Sequence, residues 1–211
     1  MPRAVIFDLD GTLIDSVADI AAAANALLAE VNLPVHPVAE YYHFVGEGAE
    51  MLLQRATAPA EPQLEWLARY KILYTQRMCD QTRVYPGLES VLDQLVLAGV
   101  PLAVLSNKPH PATQALVQHY FGRVPWRAVV GQRPDWPRKP DPAAALDICR
   151  QLGVQPADCW FVGDTEVDLQ TAVNAGMRPV GVQWGFRPAE VAHLRHTAAD
   201  AAQLLQILTS L

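Results

Sequence analysis

The stretch Ala4-Val5-Ile6-Phe7-Asp8-Leu9-Asp10-Gly11-Thr12 decides how this chain reads. Four consecutive apolar residues with no polar alternation are the pattern of a short strand buried on both faces, as in a parallel sheet covered by helices. Alternate residues of a strand point the same way, so Asp8 and Asp10 are expected to project together from its carboxyl end. Two carboxylates held that close repel each other unless a cation joins them or one takes a proton. Gly11 then permits a tight backbone departure.

Further apolar runs of the same kind follow at Leu102–Leu105, Ala128–Val130, Cys159–Val162 and Pro179–Val182. Helical patterns separate them: Leu88, Val91, Leu92 and Leu95 end at Gly99, and Leu169, Ala172 and Val173 end at Gly176. Strands alternating with helices predict an α/β doubly wound parallel sheet, in which ligands gather at the carboxyl ends of the strands.

The interval between the first two strands exceeds ninety residues, too long for one crossover helix. Helical spacing begins after Asp15, with Ser16 as N-cap and Ile20, Leu27, Leu28 and Val31 following as far as Leu33-Pro34. It resumes near Gly48 and again over Gln63–Met78, and Tyr85-Pro86-Gly87 breaks it. We therefore expect a Rossmann-like core domain formed by residues 1–14 and 84–211, and a helical cap domain over 15–83 placed as a lid beside the strand ends.

Composition narrows the function classes. The 211 residues are 51% apolar and 18% charged, with a formal net charge of −6, which excludes disorder and disfavours nucleic acid as a partner. No apolar run approaches the roughly 20 residues of a membrane span, so no membrane partner and a cytoplasmic location are expected. Cys79, Cys149 and Cys159 form no CxxC, and neither a disulfide framework nor a zinc site is indicated.

A second acidic group, Gly163-Asp164-Thr165-Glu166-Val167-Asp168, follows another apolar strand. Asp164 falls at the strand end and Asp168 in the first turn of the next helix, a pattern suited to a hard cation such as Mg²⁺, which takes oxygen ligands. Ser106-Asn107-Lys108 ends a further strand, and Lys139-Pro140-Asp141-Pro142 precedes a helix. Ser106 offers a hydroxyl donor and Lys139 a point charge for a dianion.

Taken in order, Asp8-Leu9-Asp10-Gly11-Thr12-Leu13, Ser106-Asn107-Lys108, Lys139-Pro140 and Gly163-Asp164 with Asp168 resemble the four motifs of the haloacid dehalogenase-like hydrolases, over essentially the whole chain. The resemblance implies a Rossmann-like core with an inserted helical cap, Mg²⁺ as cofactor and an aspartyl-phosphate intermediate. It implies Asp8 as nucleophile and metal ligand, and Asp10 as general acid and then base, with its backbone carbonyl on the metal. Asp164 and Asp168 complete the metal site, and Ser106 and Lys139 hold the phosphoryl group. Gly11, Thr12 and Asn107 join the substrate contacts. Asp10 favours phosphatase or phosphomutase chemistry over dehalogenation. The family's β-phosphoglucomutase-like members carry His twelve residues after the nucleophile, where this chain has Ile20.

Tyr42-His43-Phe44-Val45-Gly46-Glu47-Gly48-Ala49-Glu50 is similar to the cap segment of phosphoglycolate phosphatases. That likeness makes Gly46, Glu47 and Gly48 substrate-binding candidates and the partner a small-molecule phosphate ester. His43, Arg55 and Arg187 are further candidates for a substrate anion. Sugar phosphates, nucleoside monophosphates, pyrophosphate, a mutase and a non-catalytic phosphate-binding or phospho-accepting module remain as alternatives.

Overall fold

The computed structural model describes residues 2–210. In chain order its strands are β1 (Ala4–Phe7), β2 (Ile14–Asp15), β3 (Arg83–Val84), β4 (Leu102–Pro109), β5 (Ala128–Gln132), β6 (Cys159–Gly163), β7 (Arg178–Val182) and β8 (Thr197–Ala198). The helices are α1 (Val17–Glu30), α2 (Val38–Phe44), α3 (Ala49–Thr57), α4 (Leu64–Thr75), α5 (Leu88–Leu97), α6 (His110–Phe121), α7 (Ala143–Leu152), α8 (Glu166–Asn174), α9 (Pro188–Val191) and α10 (Ala201–Thr209).

Six strands pair in parallel in the order β5-β4-β1-β6-β7-β8. From β1 the chain builds outward to β4 and β5 on one side, then crosses back to β6, β7 and β8 on the other. β1 is therefore flanked at the point where the winding reverses, where ligands of doubly wound sheets bind. The alternation along β1 explains its unbroken apolar run. Val5 and Phe7 join Leu88, Val91, Leu116, Val162 and Leu204 in one layer, and Ala4 and Ile6 join Leu105, Ala145, Ile148 and Phe161 in the other.

Helices α1 to α4 bury a separate apolar cluster. Ile20, Ala24, Leu27 and Leu28 of α1 meet Tyr41, Leu52, Leu53, Tyr70 and Leu73, and Phe186 reaches in from beyond β7. Helix α1 ends where Asn32 takes a left-handed conformation (φ 56°) and the Leu33 N–H returns to the Leu28 carbonyl, a Schellman closure before Pro34. The chain enters this helical unit through β2 and leaves through β3. These pair antiparallel, Ile14 opposite Val84 and Asp15 opposite Arg83.

The sequence reading does not separate α2, α6, α9, α10, β2, β3 or β8, and it assigns Ser16 a different partner. Helix α2 buries only Tyr41, so its apolar period is too weak to register. Strand β8 is two residues long, below any detectable alternation. Ser16 does occupy the N-cap position of α1, but its hydroxyl bonds the Asp10 carboxylate instead of the helix backbone. Among the described residues, no helix is long and apolar enough to cross a membrane.

The return connection is fastened by Asp19 of α1, which is fully buried. Its carboxylate accepts from the Gln81 N–H (2.9 Å), the Thr82 N–H (2.8 Å) and the Thr82 hydroxyl (2.7 Å). Removing a buried acceptor strands its donors, so Asp19→Ala should cost about 2–4 kcal/mol in urea unfolding. A loss inside about 0.5 kcal/mol, the range of a neutral surface change, would show that the connection is held by other contacts.

Candidate active site

The Lys139 ammonium is the hub of the site. It donates to Asp8 Oδ1 at 2.7 Å and to Asp168 Oδ1 at 2.6 Å, with all three side chains almost wholly buried. Asp168 is locked from its other oxygen by the Thr165 N–H (3.1 Å) and hydroxyl (2.8 Å), the capping box that opens α8. Asp164, at the end of β6, accepts from the Phe186 N–H (2.8 Å) and the Thr12 hydroxyl (3.2 Å). Gly11, at φ 87°, leaves room for it: a Cβ there would sit 2.3 Å from Asp164 Oδ2.

Carboxylate oxygens of Asp8, Asp164 and Asp168 lie within 4.8 Å of one another. Burial pushes the Asp8 carboxyl up to about 7 against the pull of Lys139, and Asp168 adds to the rise. Burial, with repulsion from Asp168 and Asp8, also holds Asp164 well above the usual carboxylate range. Burial acts against the Lys139 charge, but the Asp168 and Asp8 carboxylates outweigh it and raise its pKa. Three buried carboxylates facing one ammonium lack positive charge, and oxygen donors at this spacing fit a hard divalent cation.

Asp10 has different partners. Its two oxygens accept from Lys108 Nζ at 2.9 and 2.8 Å, and Oδ1 also accepts from the Ser16 hydroxyl. The Lys108 ammonium lies 4.4 Å from the centre of the Tyr74 ring on α4, a cation–π contact that ties the helical unit to the strand ends. Above the carboxylates is a cavity of about 260 Å³. Asp8, Asp10, Ser106, Asn107 and Lys139 line it from the sheet, and Ile20, Gly46, Gly48, Tyr70 and Tyr74 from the helices.

The other sequence candidates divide. Asn107 borders the cavity, but its amide is spent bracing the loops: Oδ1 accepts from the Lys139 N–H, and Nδ2 donates to the Lys139 and Gly46 carbonyls. Thr12 is buried on Asp164, outside the cavity wall. Glu47 is not brought to the cavity and pairs with Arg55 instead. Arg55 also donates to the Phe44 carbonyl, and Arg187 to those of His43 and Val45. These guanidiniums satisfy the free carbonyls ending α2, a need set by the helix terminus, and neither they nor His43 line the cavity.

Residues 2–176 match the family model of the haloacid dehalogenase-like hydrolases. The chain belongs to that family. Among its relatives, phosphoglycolate phosphatase of Pseudomonas putida is 37% identical over 88% of this chain and 71% of its own length. Phosphoglycolate phosphatase 1 of Pseudomonas aeruginosa is 35% identical over 97% and 76%. The crystal structure of a predicted phosphoglycolate phosphatase from Haemophilus somnus superposes with a TM-score of 0.90 at 29% identity, covering 98% of both chains.

In this haloacid dehalogenase-like hydrolase, the roles of Lys108, Ser16, Tyr70 and Tyr74 around the cavity were not legible in the sequence. Only the position of Lys108 beside Ser106 at the end of β4 offered a signal. The raised Asp8 pKa carries a stability consequence. A carboxyl ordinarily near 3.8 that rises to about 7 on folding stabilises the native state fully below 3.8, and that contribution is lost as pH rises through about 7. In EDTA, the stability of the wild type relative to Asp8→Asn should therefore fall between about pH 4 and pH 7 and level off above that. Parallel stability curves across that window would contradict it.

Proposed function

We propose that this hydrolase is a Mg²⁺-dependent phosphatase of small organic phosphate monoesters, phosphoglycolate phosphatase-like in preference, acting through an aspartyl-phosphate. The observation that carries the reading is the cavity floor. Asp8 lies against the Lys139 ammonium there, and Asp10, two residues on, borders the same space.

In this reading an Asp8 oxygen attacks phosphorus and the bond to the ester oxygen breaks. Asp10 donates the proton that the leaving alcohol needs. Water then attacks the phosphorus of the aspartyl-phosphate while Asp10 takes its proton, which releases inorganic phosphate and restores Asp8. Lys139 and the Ser106 hydroxyl hold the phosphoryl oxygens through transfer, which depends mainly on positioning and charge neutralisation. Lys108 and Ser16 fix the direction of the Asp10 carboxyl. Asp8, the Asp10 backbone carbonyl and Asp164, supported by Asp168, would hold Mg²⁺, which when bound neutralises charge on the transferring group.

Residues 15–83 serve as the cap over a core of 1–14 and 84–211, and Gly46 and Gly48 bring backbone close to the ligand. Both glycines have positive φ, 108° and 88°. The two Pseudomonas phosphoglycolate phosphatases support the substrate class. Ile20, buried in the cavity wall, offers no acid or base there and favours a phosphatase over a mutase.

Phosphate release from 2-phosphoglycolate and a panel of other small esters tests this. Asp8→Asn should lower kcat by on the order of 10⁴-fold with an unchanged circular dichroism spectrum. EDTA should abolish turnover and Mg²⁺ restore it. Retained turnover in either arm would reject the nucleophile or the metal assignment, respectively.

A further inference from the structure

Beside the active-site cavity lies a second, smaller one of about 160 Å³, and the two share Ala49, Lys71, Asn107 and Pro109 as walls. The charged residues of the smaller chamber are Lys71, Arg133, Arg138 and Glu50. Glu50 is paired with Arg138. Lys71 and Arg133 enter no ion pair among the described residues. In a chain of net charge −6, this leaves a local excess of positive charge at the mouth of an otherwise carboxylate-rich site.

The hydrogen bonding of Arg133 is incomplete. Its Nε is inaccessible to solvent and has no partner. Its Nη2 lies 3.1 Å from His110 Nε2. The other ring nitrogen, His110 Nδ1, accepts the Gly131 N–H at 3.1 Å and so carries no proton. Burial and the nearby Arg133 both lower the His110 pKa, which keeps the ring neutral, with its single proton on Nε2. A guanidinium nitrogen only donates. Two donors thus stand side by side with no acceptor between them, beside a third donor that has no partner. The Nε is sealed away, so an anionic oxygen in the chamber would meet the guanidinium at Nη2, for which a protonated His110 Nε2 is no acceptor.

We propose that Arg133 and Lys71, with His110 set against Arg133, form a second anion subsite beside the active-site cavity, which receives a carboxylate or second phosphate carried by the substrate. The shared walls let one ligand place its phosphate ester at Asp8 and its other anionic group in the chamber. The substrates selected are then phosphate monoesters with a second negative group. This rests on the phosphatase reading above and narrows it.

Steady-state kinetics on paired esters tests the subsite: 2-phosphoglycolate and 3-phosphoglycerate, against 2-hydroxyethyl phosphate and p-nitrophenyl phosphate. Arg133→Gln and Lys71→Gln should each lower kcat/KM for the anionic esters about tenfold through KM, while the neutral esters change less than about twofold. Arg133→Lys should recover part of the loss. Equal losses on both classes, or no loss on either, would overturn the proposal.

If the wild type hydrolyses none of these esters, the phosphatase reading fails, and binding alone decides the subsite. Malonate, titrated into the ¹⁵N-labelled protein, should then shift the His110 Nε2 resonance in the wild type but not in Arg133→Gln. An unmoved wild-type resonance would overturn the subsite as well.

Discussion

The contact on which the rest of the site depends is the buried Lys139 ammonium shared by Asp8 and Asp168. Burying these charges is expensive and becomes tolerable only with close geometry and full hydrogen bonding. The fold meets both conditions from distant parts of the chain: β1 delivers Asp8, the N-terminus of α8 delivers Asp168, and the segment before α7 delivers Lys139. Asn107, at the end of β4, grips Lys139 by both its N–H and its carbonyl. The parallel sheet therefore works as a jig. Its strand register sets where each side chain starts, and the buried charges penalise any misplacement.

The same grip reaches the helical unit. The Asn107 amide also donates to the Gly46 carbonyl, Lys108 lies against Tyr74, and Arg187 takes the carbonyls that end α2. These contacts are polar and few, whereas the apolar clusters on the two sides are largely separate. The connections pair over only two residues each, Ile14–Asp15 with Arg83–Val84. Such a junction holds the helices in register above the strand ends while little apolar burial opposes their parting.

How much of this was legible in the sequence follows from the range over which each constraint acts. Strands β1, β4, β5, β6 and β7 declared themselves because burial on both faces leaves a continuous apolar run, whereas the two-residue β2 and β3 did not. Asp8, Asp10, Ser106, Lys139, Asp164 and Asp168 declared themselves because each sits at the end of such a run or at the start of the following helix. Arg55, Arg187 and Glu47 misled because the two arginines take the backbone carbonyls ending α2 and pair with Glu47 and Glu190 respectively, at a helix end that carries almost no apolar period. Ser16 looked like a helix cap, yet a carboxylate six residues away outcompeted the backbone for its hydroxyl. Nothing local in the sequence marks that Tyr74 meets Lys108, since the two are joined only by the packing of α4 over β4.

Two carboxylates on neighbouring positions of one strand end can do different chemistry only if their surroundings differ. Here the difference is made by two lysines. Lys139 is buried and shared, so Asp8 competes with Asp168 for one cation, in a place where burial already raises its pKa. Lys108 gives Asp10 two close contacts, and Ser16 adds a third from the linker into the helical unit. Asp8 is thus tied to the sheet, while Asp10 is tied partly to groups that bear on the helices: Ser16 begins α1 and Tyr74 backs Lys108. Movement of those helices bears on the partners of Asp10 directly, and on Asp8 only through Asn107 and Lys139. The arrangement places the Asp10 carboxyl, more than that of Asp8, under the influence of whatever occupies the space between the two units.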